Sequence, residues 1–343
     1  MTASTLQRLR AAGRALGWTL LCGLALLTAG CSQPAPASQT TTTRIRFATD
    51  WHAQAEQGGF YEALATGEYA KRGLDVAIIQ GGPAVNVPQL LASGAVDMGI
   101  GSNSFIVLNL AQEHAPVKAV AAYMQKDPQV LMAHPDQGIS GFADMRDRPI
   151  LISDAAITSF WPWLRAKFAF SDAQIRKYTH SNATFLADPR AIQEGYLTSE
   201  PYTIEKEGHL KPAVFLLADD GYPGYAAMAL ATDGLIQSNP KAVKAFVDAS
   251  AAGWQAYLYG DPKPADALIM KDNPDMTEDV LDQARAKMRA RGLVDGGDAK
   301  ASGIGVMTDA RWAQTFDFAS KAGIYPASMD AKAGYTLQFL PAK

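Results

Sequence analysis

From Arg44 onward the chain switches between short apolar runs and amphipathic stretches with a helical period. Arg44-Ile45-Arg46-Phe47-Ala48-Thr49 alternates polar and apolar positions, the period of a half-buried strand. Phe60 to Arg72 reads as a helix with Phe60, Leu64 and Tyr69 on its core face, closed by Gly73. Strands are expected over Asp75–Gln80 and Ala95–Ile100, with a short helix, Val87–Ser93, between them. Strands alternating with helices at this spacing imply parallel βαβ units, and a ligand site then lies beyond the carboxyl ends of the strands. Three such ends carry polar or glycine-rich turns: Thr49-Asp50-Trp51, Gly81-Gly82 and Gly101-Ser102-Asn103-Ser104.

The pattern then repeats with different partners. Strands are expected over Val117–Met124, Gln129–Ala133, Pro149–Ser153 and Ala213–Leu217, and helices over Ser159–Phe168 and Asp188–Gly195. An apolar run resumes at Tyr225–Ala231, followed by a clear helix from Pro240 to Tyr257. A further helix runs from a Thr277 cap to Arg291, acidic early and basic late as the helix dipole favours. The expectation is an α/β protein of two lobes. Residues 44–133 form the first part of lobe 1, 134–224 form lobe 2, and 225–343 return to lobe 1 and end in helices. Two lobes joined by paired crossings can close on a ligand about a hinge.

The N-terminal segment departs from this pattern. Arg8, Arg10 and Arg14 precede an almost wholly apolar run, Ala15–Ala29, too short for a comfortable membrane span and of signal-peptide type. The run ends in Leu27-Thr28-Ala29-Gly30-Cys31, which resembles a bacterial lipobox; the resemblance implies lipidation of Cys31 and removal of residues 1–30. The other reading is an ordinary secretory signal with Cys31 incidental. Residues 31–43, rich in Ser, Thr, Gln and Pro, cannot bury enough apolar area to offset their ordering entropy and are expected to tether the body.

Composition narrows the function classes. A net charge of −3 and the lack of any Lys/Arg-rich run or zinc-finger spacing exclude a nucleic-acid partner. Both cysteines, Cys22 and Cys31, precede the body, so packing and not disulfides must hold it. The five histidines lack metal-ligand spacing, and no nucleophile elbow, P-loop or dinucleotide fingerprint occurs, so no metal, cofactor or catalytic residue is expected.

Several segments together carry a resemblance. Asp50-Trp51, Gly58-Gly59-Phe60-Tyr61, Gly67-Glu68-Tyr69 and Gly73-Leu74-Asp75-Val76 form one set. Gln89-Leu90-Leu91-Ala92-Ser93-Gly94-Ala95-Val96-Asp97-Met98-Gly99-Ile100 and Thr198-Ser199-Glu200-Pro201-Tyr202 form two more. This set is similar to the nitrate/sulfonate/taurine and thiamine-pyrimidine binding proteins of ABC importers. The resemblance implies a type II periplasmic-binding fold and a small-molecule ligand held between the lobes. It also implies a permease and ATPase as partners, a monomeric receptor, and a place in the periplasm or at the cell surface. Asp50-Trp51 leans towards the thiamine-pyrimidine branch. Two positions depart from it: Ala53 stands where that branch has proline, and Gln57 where it has histidine. No cysteine follows Cys31, which sets the chain apart from the cysteine-bearing pyrimidine synthases of the same superfamily. The alternatives are a sulfonate, taurine or nitrate receptor, and an exported hydrolase or pyrimidine-processing enzyme.

The candidate ligand contacts follow from both readings. Trp51 can stack on a planar ligand or anchor the first loop. Asp50 can accept from a ligand amine or cap the loop; Gln57 and Tyr61 are candidate donors. Asn103 and Ser104 sit where a helix N-terminus offers free N–H groups. Thr158 and Ser159 open an expected helix whose Phe160, Trp161 and Trp163 form either a stacking wall or lobe core. Glu200 and Tyr202 face the cleft if the family analogy holds, and Tyr222 and Tyr225 lie near the return crossing.

Overall fold

The computed structural model describes residues 42–340. Cys31, the lipobox and most of the tether lie outside the described residues. Among the described residues ten strands form two five-stranded sheets. The first sheet contains β1 (Thr43–Ala48), β2 (Leu74–Ile79), β3 (Met98–Asn103), β4 (Val117–Met124) and β10 (Ala226–Thr232), in the order β2-β1-β3-β10-β4. The second contains β5 (Gln129–Ala133), β6 (Ile150–Ile152), β7 (Ile175–Lys177), β8 (Ile192–Tyr196) and β9 (Ala213–Leu216), in the order β7-β6-β8-β5-β9. In each sheet one strand runs against both its neighbours, β10 against β3 and β4, and β5 against β8 and β9. The remaining pairs are parallel, as alternating strands and helices require.

The chain crosses between sheets at 125–128 and returns at 217–225. The outward crossing comes earlier than expected: β5 joins the second sheet, so 129–133 belongs to lobe 2. The apolar strands on either side of Gln125-Lys126-Asp127-Pro128 look alike in sequence, and only their hydrogen-bond partners separate them. A second correction concerns 188–195. Its expected helix is replaced by β8, the middle strand of the second sheet. Both faces of a central strand are buried, so the period-2 signal disappears. Gln193 donates to Asn182 Oδ1 at 2.9 Å, and Glu194 accepts from the Ser153 amide at 2.8 Å. Those distant partners allow polar residues in that interior.

Lobe 1 is built around the contact between helices Gly58–Ala65 and Pro240–Tyr259. Phe47, Phe60, Tyr69, Phe246 and Trp254 interlock there, with ring centroids 4.8–6.4 Å apart. Glycines permit this approach: a Cβ on Gly59 would lie 2.1 Å from Trp254 Cγ, and one on Gly253 2.2 Å from the Gly59 carbonyl oxygen. The Gly-Gly-Phe-Tyr motif is therefore a packing device. The first helix ends near Gly67, whose φ of 72° turns the chain before a short 3-10 turn, Ala70–Arg72. On the other face of the sheet a second core runs on into lobe 2, joining Phe105, Tyr222, Trp163 and Phe142.

Candidate functional site

The carboxyl ends of β1, β3, β4 and β8 and the start of β10 converge on a small cavity of about 10 Å³, close to the space of one water. Its polar wall consists of Asp50, Glu56, Gln57, Ser102 and Tyr196; Ile100, Met124, Ala226 and Ala227 complete it. Four of these polar residues come from lobe 1 and Tyr196 from lobe 2.

Asp50 follows β1 on a turn held by Thr49, whose hydroxyl donates to the Trp51 carbonyl at 2.7 Å and accepts from the Gly81 amide at 3.0 Å. Ser102, in β3, donates to Asp50 Oδ2. Oδ1 is sealed from solvent and has no hydrogen-bond partner. Burial pushes the Asp50 carboxyl above the usual range, against the pull of the Ser102 hydroxyl. Glu56, on the 3-10 turn Ala55–Gln57, accepts from the Thr198 hydroxyl of lobe 2. Burial raises its pKa too, and the charge of Asp50 adds to the rise. Ala227 holds φ at 46°, a left-handed conformation that a non-glycine residue adopts at a cost.

Further acids surround this wall. Glu200 opens helix Glu200–Gly208 and folds back to accept from the Tyr196 amide at 2.6 Å. Burial pushes Glu200, Glu194 and Asp127 each up to about 7. Glu194 Oε2, like Asp50 Oδ1, is sealed without a partner. No Lys or Arg lines the cavity. The half-buried Lys287 acts on Glu56 from outside the cavity, and desolvation lowers its own pKa. The centre therefore offers acceptors and carries no cation that would draw an anion in.

The structure separates the expected contacts into groups. Asp50 and Gln57 line the cavity, and Glu200 stands directly behind Tyr196. Trp51 is half-buried at the lobe boundary, its ring 4.6 Å from that of His180 of lobe 2 at an interplanar angle of 51°. Tyr202 lies in another contact between lobes, donating to Asp279 of helix Glu278–Arg291, which Lys206 meets at 2.8 Å. Tyr61 is buried in lobe 1 and donates to Asp272 at 3.0 Å. Asn103 caps helix Ser104–Gln112 by accepting from the Phe105 and Ile106 amides, and Ser104 bonds the Tyr225 backbone. Thr158 is exposed, and Ser159 donates to the Ala155 carbonyl at 2.9 Å. Both residues fall between helices Asp154–Ile157 and Trp161–Phe168 and open neither. Phe160, Trp161 and Trp163 are lobe core, with Trp161 Nε1 donating to Asp172.

Sequence reasoning passed over Ser102, Glu56, Tyr196, Thr198 and Ala227. Ser102 lay within a strand end already singled out, and Tyr196 and Thr198 directly precede Glu200-Pro201-Tyr202. Glu56 carried no signal beyond being an acid beside Gln57.

Two five-stranded α/β sheets, two crossings and a polar cavity at the strand ends define a two-lobed protein of the periplasmic-binding fold. The chain belongs to the NMT1/THI5 like family, whose model matches residues 54–265. It is 26% identical over 318 residues to the riboflavin-binding protein RibY of Chloroflexus aurantiacus, spanning 90% of this chain and 89% of that protein. It is 24% identical over 263 residues to the formylaminopyrimidine-binding protein of Halalkalibacterium halodurans, 75% of each. Among solved structures it resembles the periplasmic aliphatic sulphonate binding protein SsuA of Escherichia coli, with a TM-score of 0.64 and 15% identity. That match covers 88% of this chain and 94% of that one, and it bears on the fold alone.

Proposed function

We infer that this protein is the substrate-binding lipoprotein of an ABC importer, exported and anchored through Cys31. It takes a small nitrogen heteroaromatic that presents N–H groups, of the pyrimidine type, and returns it unaltered to a permease. The carrying observation is Asp50: a sealed carboxylate oxygen without a partner, in a wall lacking cations. An unmet buried acceptor costs about 1–3 kcal/mol, more when charged, and a ligand N–H would remove that cost. Trp51 at the lobe boundary can add about 0.5–1.5 kcal/mol by stacking on a planar ring. A sulfonate or nitrate would instead meet Asp50 and Glu56 at close range. Both relatives that span most of the chain bear names of nitrogen-heteroaromatic binders, which supports the same ligand class.

A cavity of about 10 Å³ is far smaller than any ring, so admission requires the lobes to part about the crossings at 125–128 and 217–225. The test is calorimetric titration of the mature chain with aminopyrimidines, flavins, alkanesulfonates and nitrate, with recovery of each compound afterwards. Binding of an aminopyrimidine or flavin with full recovery supports the reading. Binding by sulfonate or nitrate alone, or chemical conversion of the guest, rejects it. Cys31→Ser is expected to release the protein from membranes; retention there would reject the lipid anchor.

A further inference from the structure

A second concavity shares no lining residue with the cavity between the lobes. It measures about 370 Å³, within the range of small-molecule sites, and is bordered by Lys126, Arg289, Arg291, Lys300 and Asp295. Four cations against one carboxylate stand out in a chain of net charge −3. Two of the four have an ordinary explanation. Arg289 and Arg291 close helix Glu278–Arg291, where the dipole favours cations, and Arg289 Nη1 donates to the Leu258 carbonyl at 2.8 Å. Lys126, on the crossing at 125–128, does not share it, and Lys300 closes a helix of only four residues, Ala299–Ser302, too short for a dipole of consequence.

The backbone gathers these side chains into one wall. The Leu293 carbonyl accepts from the Gln125 amide at 2.6 Å and the Lys126 amide at 3.2 Å, tying the loop after Arg291 to the crossing. Gly292 and Gly297 hold φ at 56° and 49°, which lets that loop turn back. The nearby acids, Asp295 and Asp219, offset the four cations only in part. Asp295 lines the wall and accepts from the Tyr259 hydroxyl. The exposed Asp219 is divided between Arg291 and Lys126, the latter at 3.6 Å, and exposed pairs of this kind are weak and displaceable.

We propose that this concavity is a site for a phosphoryl oxyanion, held by Lys126, Arg289, Arg291 and Lys300. Guanidinium forks and ammonium groups are the chemistry that recognises tetrahedral, multiply charged oxygens. The oxyanion can come from a soluble phosphate compound or from a lipid headgroup. The site stands apart from the cavity at Asp50 and does not rest on the ligand assigned there.

The experiment titrates the mature chain with pyrophosphate by calorimetry, alongside vesicles of phosphatidylglycerol and of phosphatidylcholine. The doubly substituted K126A/K300A chain is compared with K211A/K241A, which removes the same charge from exposed lysines elsewhere. Saturable pyrophosphate binding, weakened tenfold or more by K126A/K300A and little changed by K211A/K241A, is expected. If phosphatidylglycerol vesicles bind with the same variant dependence and pyrophosphate does not, the source is a headgroup. No binding of either probe overturns the proposal, as does an equal loss in both variants or none in K126A/K300A. Unchanged melting curves for the variants confirm that folding is not being measured.

Discussion

Asp50 and Glu56 are two acids in one closed space, held by one hydroxyl from each lobe, Ser102 and Thr198. Replacing Asp50 with Asn keeps the shape but halves the acceptor capacity and places an amide where N–H groups of a ligand would dock. Asp50→Asn should weaken an aminopyrimidine or flavin by tenfold or more, about 1.4 kcal/mol. The melting temperature should hold or rise, because a buried carboxylate has been removed. Calorimetric affinity paired with a melting curve checks both parts. Titration follows the same logic. Glu194, Glu200 and Asp127 are pushed up to about 7 by burial. Between about pH 4.5 and 7 the folded chain keeps protons that the unfolded chain has released. Stability must therefore fall as pH rises through that window and level off above it. Glu200→Gln can still accept from the Tyr196 amide but cannot ionise. It should raise the melting temperature at pH 8 by several degrees and leave it nearly unchanged at pH 4.5; an equal shift at both values would contradict the assignment.

At the scale of elements, the glycine motif at the head of helix Gly58–Ala65 sets how closely helix Pro240–Tyr259 can approach. Gly59→Ala places a Cβ against a fully buried indole. Overpacking of this kind typically costs about 1–3 kcal/mol, and a contact this short belongs at the upper end. Chemical denaturation should show a lower midpoint with an unchanged slope. β8 illustrates the limit of reading elements from pattern. Ile-Gln-Glu-Gly-Tyr has neither alternation nor a long apolar run, and it becomes a strand because Asn182 and Ser153 satisfy its polar side chains from elsewhere in the fold. By contrast β1, with Arg44 and Arg46 outward and Ile45 and Phe47 inward, was legible because one face meets solvent. The aromatic cluster at 160–163 was legible as a cluster. Its place in the lobe core came from packing against Phe142, Phe168 and Tyr222.

For the whole molecule, three polar ties span the lobes beside the cavity. Thr198 meets Glu56, the Gln283 side chain donates to the Thr198 carbonyl at 2.6 Å, and Asp279 collects Tyr202 and Lys206. The Asp279 tie is exposed and therefore weak and displaceable. A hinge population still responds to a weak tie, because its open and closed states differ by only a few kcal/mol. Asp279→Ala should enlarge the radius of gyration of the free chain in small-angle scattering and weaken cleft ligands a few-fold through easier opening. Thermal stability should stay within a degree or two. A compact free chain with unchanged affinity would show that the tie does not govern closure.

The alternation of strands and helices up to β4, the two-lobed plan and the strand-end turns that carry Asp50 and Ser102 were determined by local periodicity and turn chemistry. Such signals depend on residues a few positions apart. The outward crossing, the strand at 192–196 and the roles of Glu56, Tyr196 and Thr198 were decided only in three dimensions. Each of these depends on partners far along the chain, as Glu56 and Thr198 do at a separation of 142 residues. Burial and pairing at that distance leave no trace in the spacing of neighbouring residues, so the lobes had to be folded before the acids between them could be found.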